Sequence, residues 1–89
     1  MNKSLEKRID SALGCIVGAA IGDALGAPLE FLPARPKNEY IRDMIGGGVL
    51  NWNPGDITDD TIMSLTICDM FIKCGDYNQE FLIKEWVKW

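Results

Sequence analysis

Histidine is absent from the 89 residues, and the three cysteines, Cys15, Cys68 and Cys74, are an odd number. Together these facts exclude a zinc site built from His and Cys, and they offer no disulfide framework. A reduced compartment, the cytoplasm, suits such a chain. Runs of lysine or arginine are also missing, and the net charge is -4. Binding to a phosphate backbone needs a basic footprint, so nucleic acid is excluded as a partner. The longest small and apolar run, Ala12 to Gly22, has eleven residues. A bilayer needs about 20, so the run does not read as a membrane span. A signal peptide is excluded as well, because Glu6 and Asp10 put acids where a basic region belongs and glycines interrupt the apolar stretch. There is no internal repeat, linker or low-complexity segment.

What is present is enough apolar material for a core, 47% of residues, arranged at helical spacing. Leu5, Ile9, Leu13, Ile16, Ala20 and Ile21 follow a period near 3.6 and predict a helix over residues 4–25. Gly14, Gly18, Gly22 and Gly26 recur every fourth residue along the same segment. Each interior glycine costs a helix up to about 1 kcal/mol relative to alanine, so this ridge is expected to face a closely packed partner. Asp23 lies near the end of the apolar helix, where a carboxylate must either be paired or face a polar cavity. Pro28, Pro33 and Pro36 then stop the helix and make 27–37 a connector that carries Glu30.

A short helix is expected over 38–45, broken by Gly46-Gly47-Gly48, with Val49-Leu50 extended. The loop Asn51 to Asp56 fails as an EF-hand, which needs glycine at its sixth position and glutamate at its twelfth, and the three glycines lack the spacing of a phosphate loop. Further helices are expected over 59–74, with Gly75 as the stop, and over 79–89, capped by Asn78. Met63 and Met70 read as core filler. Trp86 and Trp89 bring aromatic bulk that asks for burial or an interface.

The densest chemistry is Ile57-Thr58-Asp59-Asp60-Thr61, two adjacent carboxylates between two hydroxyls where a Pro/Gly loop becomes a helix. Hard oxygen donors of this kind suit Mg²⁺, Mn²⁺ or Ca²⁺ rather than Zn²⁺. Thr58 or Asp59 acting simply as the helix cap explains the same pattern.

Two segments, Gly18-Ala19-Ala20-Ile21-Gly22-Asp23-Ala24-Leu25-Gly26-Ala27-Pro28-Leu29-Glu30-Phe31 and Pro54-Gly55-Asp56-Ile57-Thr58-Asp59-Asp60-Thr61-Ile62-Met63, resemble in order and spacing the N-terminal signature of the ADP-ribosylglycohydrolase family, the group that includes dinitrogenase reductase-activating glycohydrolase. The resemblance implies an all-α fold in which residues 1–89 are the incomplete N-terminal portion, roughly the first third, of a larger orthogonal helical bundle. It further implies a hydrolase with two Mg²⁺ ions, or Mn²⁺, that removes ADP-ribose from modified proteins or cleaves small ADP-ribose compounds. Thr58, Asp59 and Asp60 match the first group of metal ligands. Glu30 matches an acidic residue beside the ribose, suited to act as the catalytic base. Asp23 belongs to the signature as support of the metal-bearing helix or as part of the site. The family's second ligand group, Asp-x-Asp followed by Ser or Thr, has no counterpart after Thr61. The chain is therefore expected to be inactive alone and to need the missing C-terminal part of the domain as partner. The alternative is a non-catalytic helical module or remnant that binds a protein through its Trp86/Trp89 face.

Overall fold

A computed structural model describes residues 2–89, and every regular element in it is helical. Helix α1 runs Lys3–Gly26, α2 Asp59–Cys74 and α3 Gln79–Val87. Single 3₁₀ turns occupy Ala27–Leu29 and Lys37–Glu39. Among the described residues the only β pairing is one isolated antiparallel bridge between Gly47 and Trp52.

Each helix is bounded by ordinary chemistry. The Asn2 side chain accepts from the Leu5 N–H at 2.8 Å and opens α1, and Pro28 tightens its exit into the first 3₁₀ turn. Gly75, left-handed at φ 78°, closes α2 by donating its N–H to the Phe71 carbonyl at 3.0 Å. Asn78 then caps α3 by accepting from the Phe81 N–H at 2.9 Å.

Helix α2 is the shared element, packing on the C-terminal half of α1 and on α3. Small residues, Ala24 of α1 and Ala27 of the 3₁₀ turn that follows it, are buried and let the backbone come close, whereas Met70 of α2 and Leu82 of α3 fill the other contact. Met70 is the most buried large side chain, and its sulfur accepts from the Asn78 N–H at 3.2 Å.

Beyond these contacts the fold is open. The radius of gyration is 16.4 Å, against about 12 Å for a compact domain of this length. Along α1, Leu5, Ile9, Leu13 and Val17 are left exposed. By length and composition α1 suffices to cross a membrane. It also places the ionisable Asp23 against the start of α2 and buries Ala24 there. The expected partner for the glycine ridge is not found among the described residues, since nothing lies within 4 Å of a Cβ built at Gly14, Gly18, Gly22 or Gly26.

Two expectations between the helices fail. Residues 38–45 form no helix beyond the turn at Lys37–Glu39; Tyr40 is already extended at φ -62°, ψ 136°. A segment this short cannot offset helix nucleation without a face to bury, and here only Ile41 and Met44 are even half-buried. Val49-Leu50 is not extended but lies in a turn. Positive φ at Gly46, Gly47, Gly48 and Asn51 curls the chain back, so that Gly47 and Trp52 exchange hydrogen bonds of 2.7 and 2.9 Å.

Gly48 seats this loop on the end of α1. A Cβ at Gly48 would sit 2.8 Å from the Pro28 carbonyl carbon, at φ 78°. Backbone is the obstacle on one side and a left-handed conformation is required on the other. We predict that Gly48→Ala lowers stability by about 1–3 kcal/mol, read as a lower denaturation midpoint by circular dichroism, while Gly14→Ala on the open ridge leaves the midpoint unchanged or raises it.

Candidate metal and hydrolase site

The start of α2 faces the end of α1 through one carboxylate. Asp23 Oδ2 accepts from the Thr58 N–H at 2.8 Å and the Thr61 N–H at 3.3 Å. The Thr58 hydroxyl donates to Oδ1 at 2.6 Å and the Thr61 hydroxyl to Oδ2 at 2.5 Å. Thr58 stands at the cap position of α2, yet its side chain makes no capping bond. The expectation that Thr58 or Asp59 caps the helix is thus corrected. The acceptor comes from α1, because a carboxylate offers the two N–H groups and two hydroxyls more lone pairs than a threonine could. Thr61 was not singled out from sequence as a working residue; its only signal was a second hydroxyl three residues after the first.

Glu30 reaches the same region by a turn. The Leu32 N–H donates to the Leu29 carbonyl at 3.0 Å, Glu30 takes φ -59°, ψ 137°, and Phe31 takes φ 67°. This is a type II turn with phenylalanine at the position that normally takes glycine. Holding a bulky residue left-handed costs on the order of 1–3 kcal/mol, so the surrounding structure imposes the turn that presents Glu30.

Glu30, Thr58, Asp59 and Asp60 line one open cavity of about 540 Å³, whose other wall includes Gly22 and Gly26. The bare side of the glycine ridge is thus, at its C-terminal end, a wall of the cavity. Glu30, Asp59 and Asp60 are exposed, whereas Thr58 and Thr61 are each only 5% exposed. No lysine or arginine lines the space. Hard oxygen donors without a competing cation fit a divalent ion such as Mg²⁺, with Thr58, Asp59 and Asp60 as the residues able to hold it. They are only part of a coordination shell. Among the described residues no three Asp, Glu, Cys or His side chains converge as a preformed metal cluster.

Burial acts to raise the Asp23 pKa, but the hydrogen bonds from Thr58 and Thr61 outweigh it and hold the carboxyl below its ordinary 3.8. A carboxyl with a lower pKa folded than unfolded stabilises the fold fully above its unfolded value, and this contribution is lost as pH falls through the folded value. We predict that the stability difference between the wild-type chain and Asp23→Asn is largest near neutrality and shrinks below pH about 4, measured as urea midpoints across an acid series. A constant difference through that range would contradict the clamp.

Comparison with known proteins places the sequence in a family. Residues 4–89 match the family model described as ADP-ribosylglycohydrolase. An ADP-ribosylarginine hydrolase Tri1 from Serratia proteamaculans is 43% identical over 81 residues, covering 91% of this chain and 22% of that protein. A second Tri1 from Pseudomonas putida is 39% identical over 84 residues, 94% of this chain and 22% of its own length. The ADP-ribosyl-[dinitrogen reductase] glycohydrolase of Rhodospirillum rubrum is 40% identical over 83 residues, 90% of this chain and 28% of the relative. No solved structure matches the chain. It spans about a quarter of the length of these relatives, and over that span it belongs to the ADP-ribosylglycohydrolase family.

Proposed function

We propose that the chain supplies the catalytic carboxylate and the first half of the metal site of a Mg²⁺-dependent hydrolase that removes ADP-ribose from modified protein, and that it works together with the rest of a family domain. The carrying observation is that Glu30, on the connector after α1, lines one cavity with Thr58, Asp59 and Asp60 at the start of α2. Similarity to two proteins named ADP-ribosylarginine hydrolase makes arginine-linked ADP-ribose the first substrate to try.

In this reading Thr58 Oγ1 and the carboxylates of Asp59 and Asp60 are the ligands that this chain contributes. Bound Mg²⁺ supplies charge stabilisation and orientation of ribose hydroxyls and water, the contribution metals make to such hydrolyses. Glu30 takes a proton from the attacking water on a carboxylate oxygen as the water oxygen bonds to the anomeric carbon of the ribose, while the bond from that carbon to the arginine nitrogen breaks, its electron pair passing to the nitrogen, and the released guanidine then takes up a proton. The open wall at Gly22 and Gly26 leaves room for the sugar, since no side chain projects there.

A second reading, a helical module that binds a partner protein, draws on the exposed apolar surface, including Leu13, Phe71, Val87 and Trp89. The two part on one experiment. Mixed with, or fused to, the C-terminal remainder of a family domain, the chain is expected to release ADP-ribose from an arginine-modified protein; a pure interaction module gives none.

In that completed enzyme, Glu30→Gln keeps shape but cannot accept the proton. We predict a fall in turnover of about 10²- to 10⁴-fold, with the melting temperature and Mg²⁺ affinity nearly unchanged. Asp59→Ala or Asp60→Ala should instead raise the Mg²⁺ concentration needed for half-maximal activity and remove most turnover. Turnover that survives Glu30→Gln would refute the base assignment.

A further inference from the structure

A helix start is an unpromising place for a cation. The aligned peptide dipoles put roughly half a positive charge there, and the free N–H groups of the first turn make it a ready site for anions. Yet the residues read above as cation ligands, Thr58, Asp59 and Asp60, occupy the cap and first two positions of α2.

Asp23 removes the conflict. Its carboxylate takes the Thr58 and Thr61 N–H groups at 2.8 and 3.3 Å and both hydroxyl protons at 2.6 and 2.5 Å. Three of these bonds fall on Oδ2 and one on Oδ1, so Asp23 commits Oδ2 wholly to α2 and keeps an open lone pair only on Oδ1, in a cavity that it also lines. It does two other things. It sets a full negative charge against the positive end of α2, where the threonines it contacts are buried and water screens poorly. It also draws the Thr58 proton toward itself, which leaves the lone pairs of Thr58 Oγ1 free for the cavity that Thr58 lines.

We propose that Asp23 is a positioning residue that converts the start of α2 from an anion-binding helix terminus into a cation-binding one. The cation half of this inference rests on the metal reading of the cavity; the suppression of anion binding does not. Glu30, Asp59 and Asp60 add negative charge on the cavity side, but none of them accepts the Thr58 or Thr61 N–H.

The test uses the 89-residue chain with two probes, Mn²⁺ followed by electron paramagnetic resonance and sulfate followed by the amide chemical shifts of residues 58–61. The wild-type chain is expected to bind Mn²⁺ and to leave sulfate unbound. Asp23→Asn, which retains an acceptor oxygen but loses the charge, is expected to weaken Mn²⁺ binding by about 10- to 100-fold, the usual effect of losing an outer-shell partner, and to gain sulfate binding at those four amides. Thr61→Val removes one hydroxyl donor of the clamp and keeps the charge, so whatever it costs in stability it should gain no sulfate binding and should keep more Mn²⁺ binding than Asp23→Asn. A purely structural Asp23 predicts otherwise: Mn²⁺ lost without sulfate gained, or both variants impaired alike, and either result overturns the proposal. So does an Asp23→Asn chain that stays unfolded by circular dichroism even in sucrose, which favours compact states. If the wild-type chain binds no Mn²⁺, the cation half falls, whereas the metal reading is decided by Asp59→Ala and Asp60→Ala in the completed enzyme, and sulfate decides whether Asp23 guards the helix terminus.

Discussion

One carboxylate joins the two halves of this structure. Asp23 ends up near the close of an apolar helix, where it needs donors, and α2 begins with N–H groups that have no partner inside the helix and need an acceptor. Each requirement meets the other at Thr58 and Thr61, with bonds of 2.5 to 3.3 Å. Everything assigned to the cavity follows from that contact. It brings Asp59 and Asp60, which follow Thr58 directly, beside the connector that leaves α1, and the type II turn at Leu29–Leu32 then has only a short way to carry Glu30. The loop from Gly46 to Asp56 closes the gap by resting Gly48 on Pro28.

The remainder of the molecule is less finished than its site. Exposed leucine, isoleucine and valine along α1, a glycine ridge with nothing against it, and a flat shape of 43 × 37 × 19 Å describe surfaces suited to further helices. That picture agrees with a chain spanning about a quarter of its relatives' length. It also separates two kinds of packing along α1 and its exit: Ala24 and, in the following turn, Ala27 are buried within the chain, whereas nothing described packs on the ridge from Gly14 to Gly22.

The helices were legible because their signals are local. Asn78 reads as a cap, Gly75 as a stop, and the apolar period leaves little choice between them, so the observed α1, α2 and α3 agree with expectation to within two residues, the Asn2 cap of α1 being seen only in the structure. The segment 38–52 was not legible. Its shape depends on positive φ at Gly46, Gly47, Gly48 and Asn51 and on the fit of Gly48 against a distant proline, and neither is visible in the spacing of apolar residues. Within the site, residue types alone marked Thr58, Asp59 and Asp60, and the family resemblance marked Glu30. The acceptor role of Asp23 was open between a structural and a functional reading, since pairing with residues some 35 positions away is a tertiary fact. Thr61 escaped for the same reason: a threonine at the third helical position is unremarkable until the carboxylate it faces is known.

The clamp itself can be observed directly by amide hydrogen exchange on the 89-residue chain. Thr58 and Thr61 donate to Asp23, whereas Asp59 and Asp60 lie in the first turn of α2, where the helix offers no acceptor. The structure predicts slow exchange at Thr58 and Thr61, approaching that of amides in the middle of α2, beside fast exchange at Asp59 and Asp60. Fast exchange at all four, in a chain whose central α2 amides are protected, would show that α2 starts without Asp23 and would contradict the account at its base.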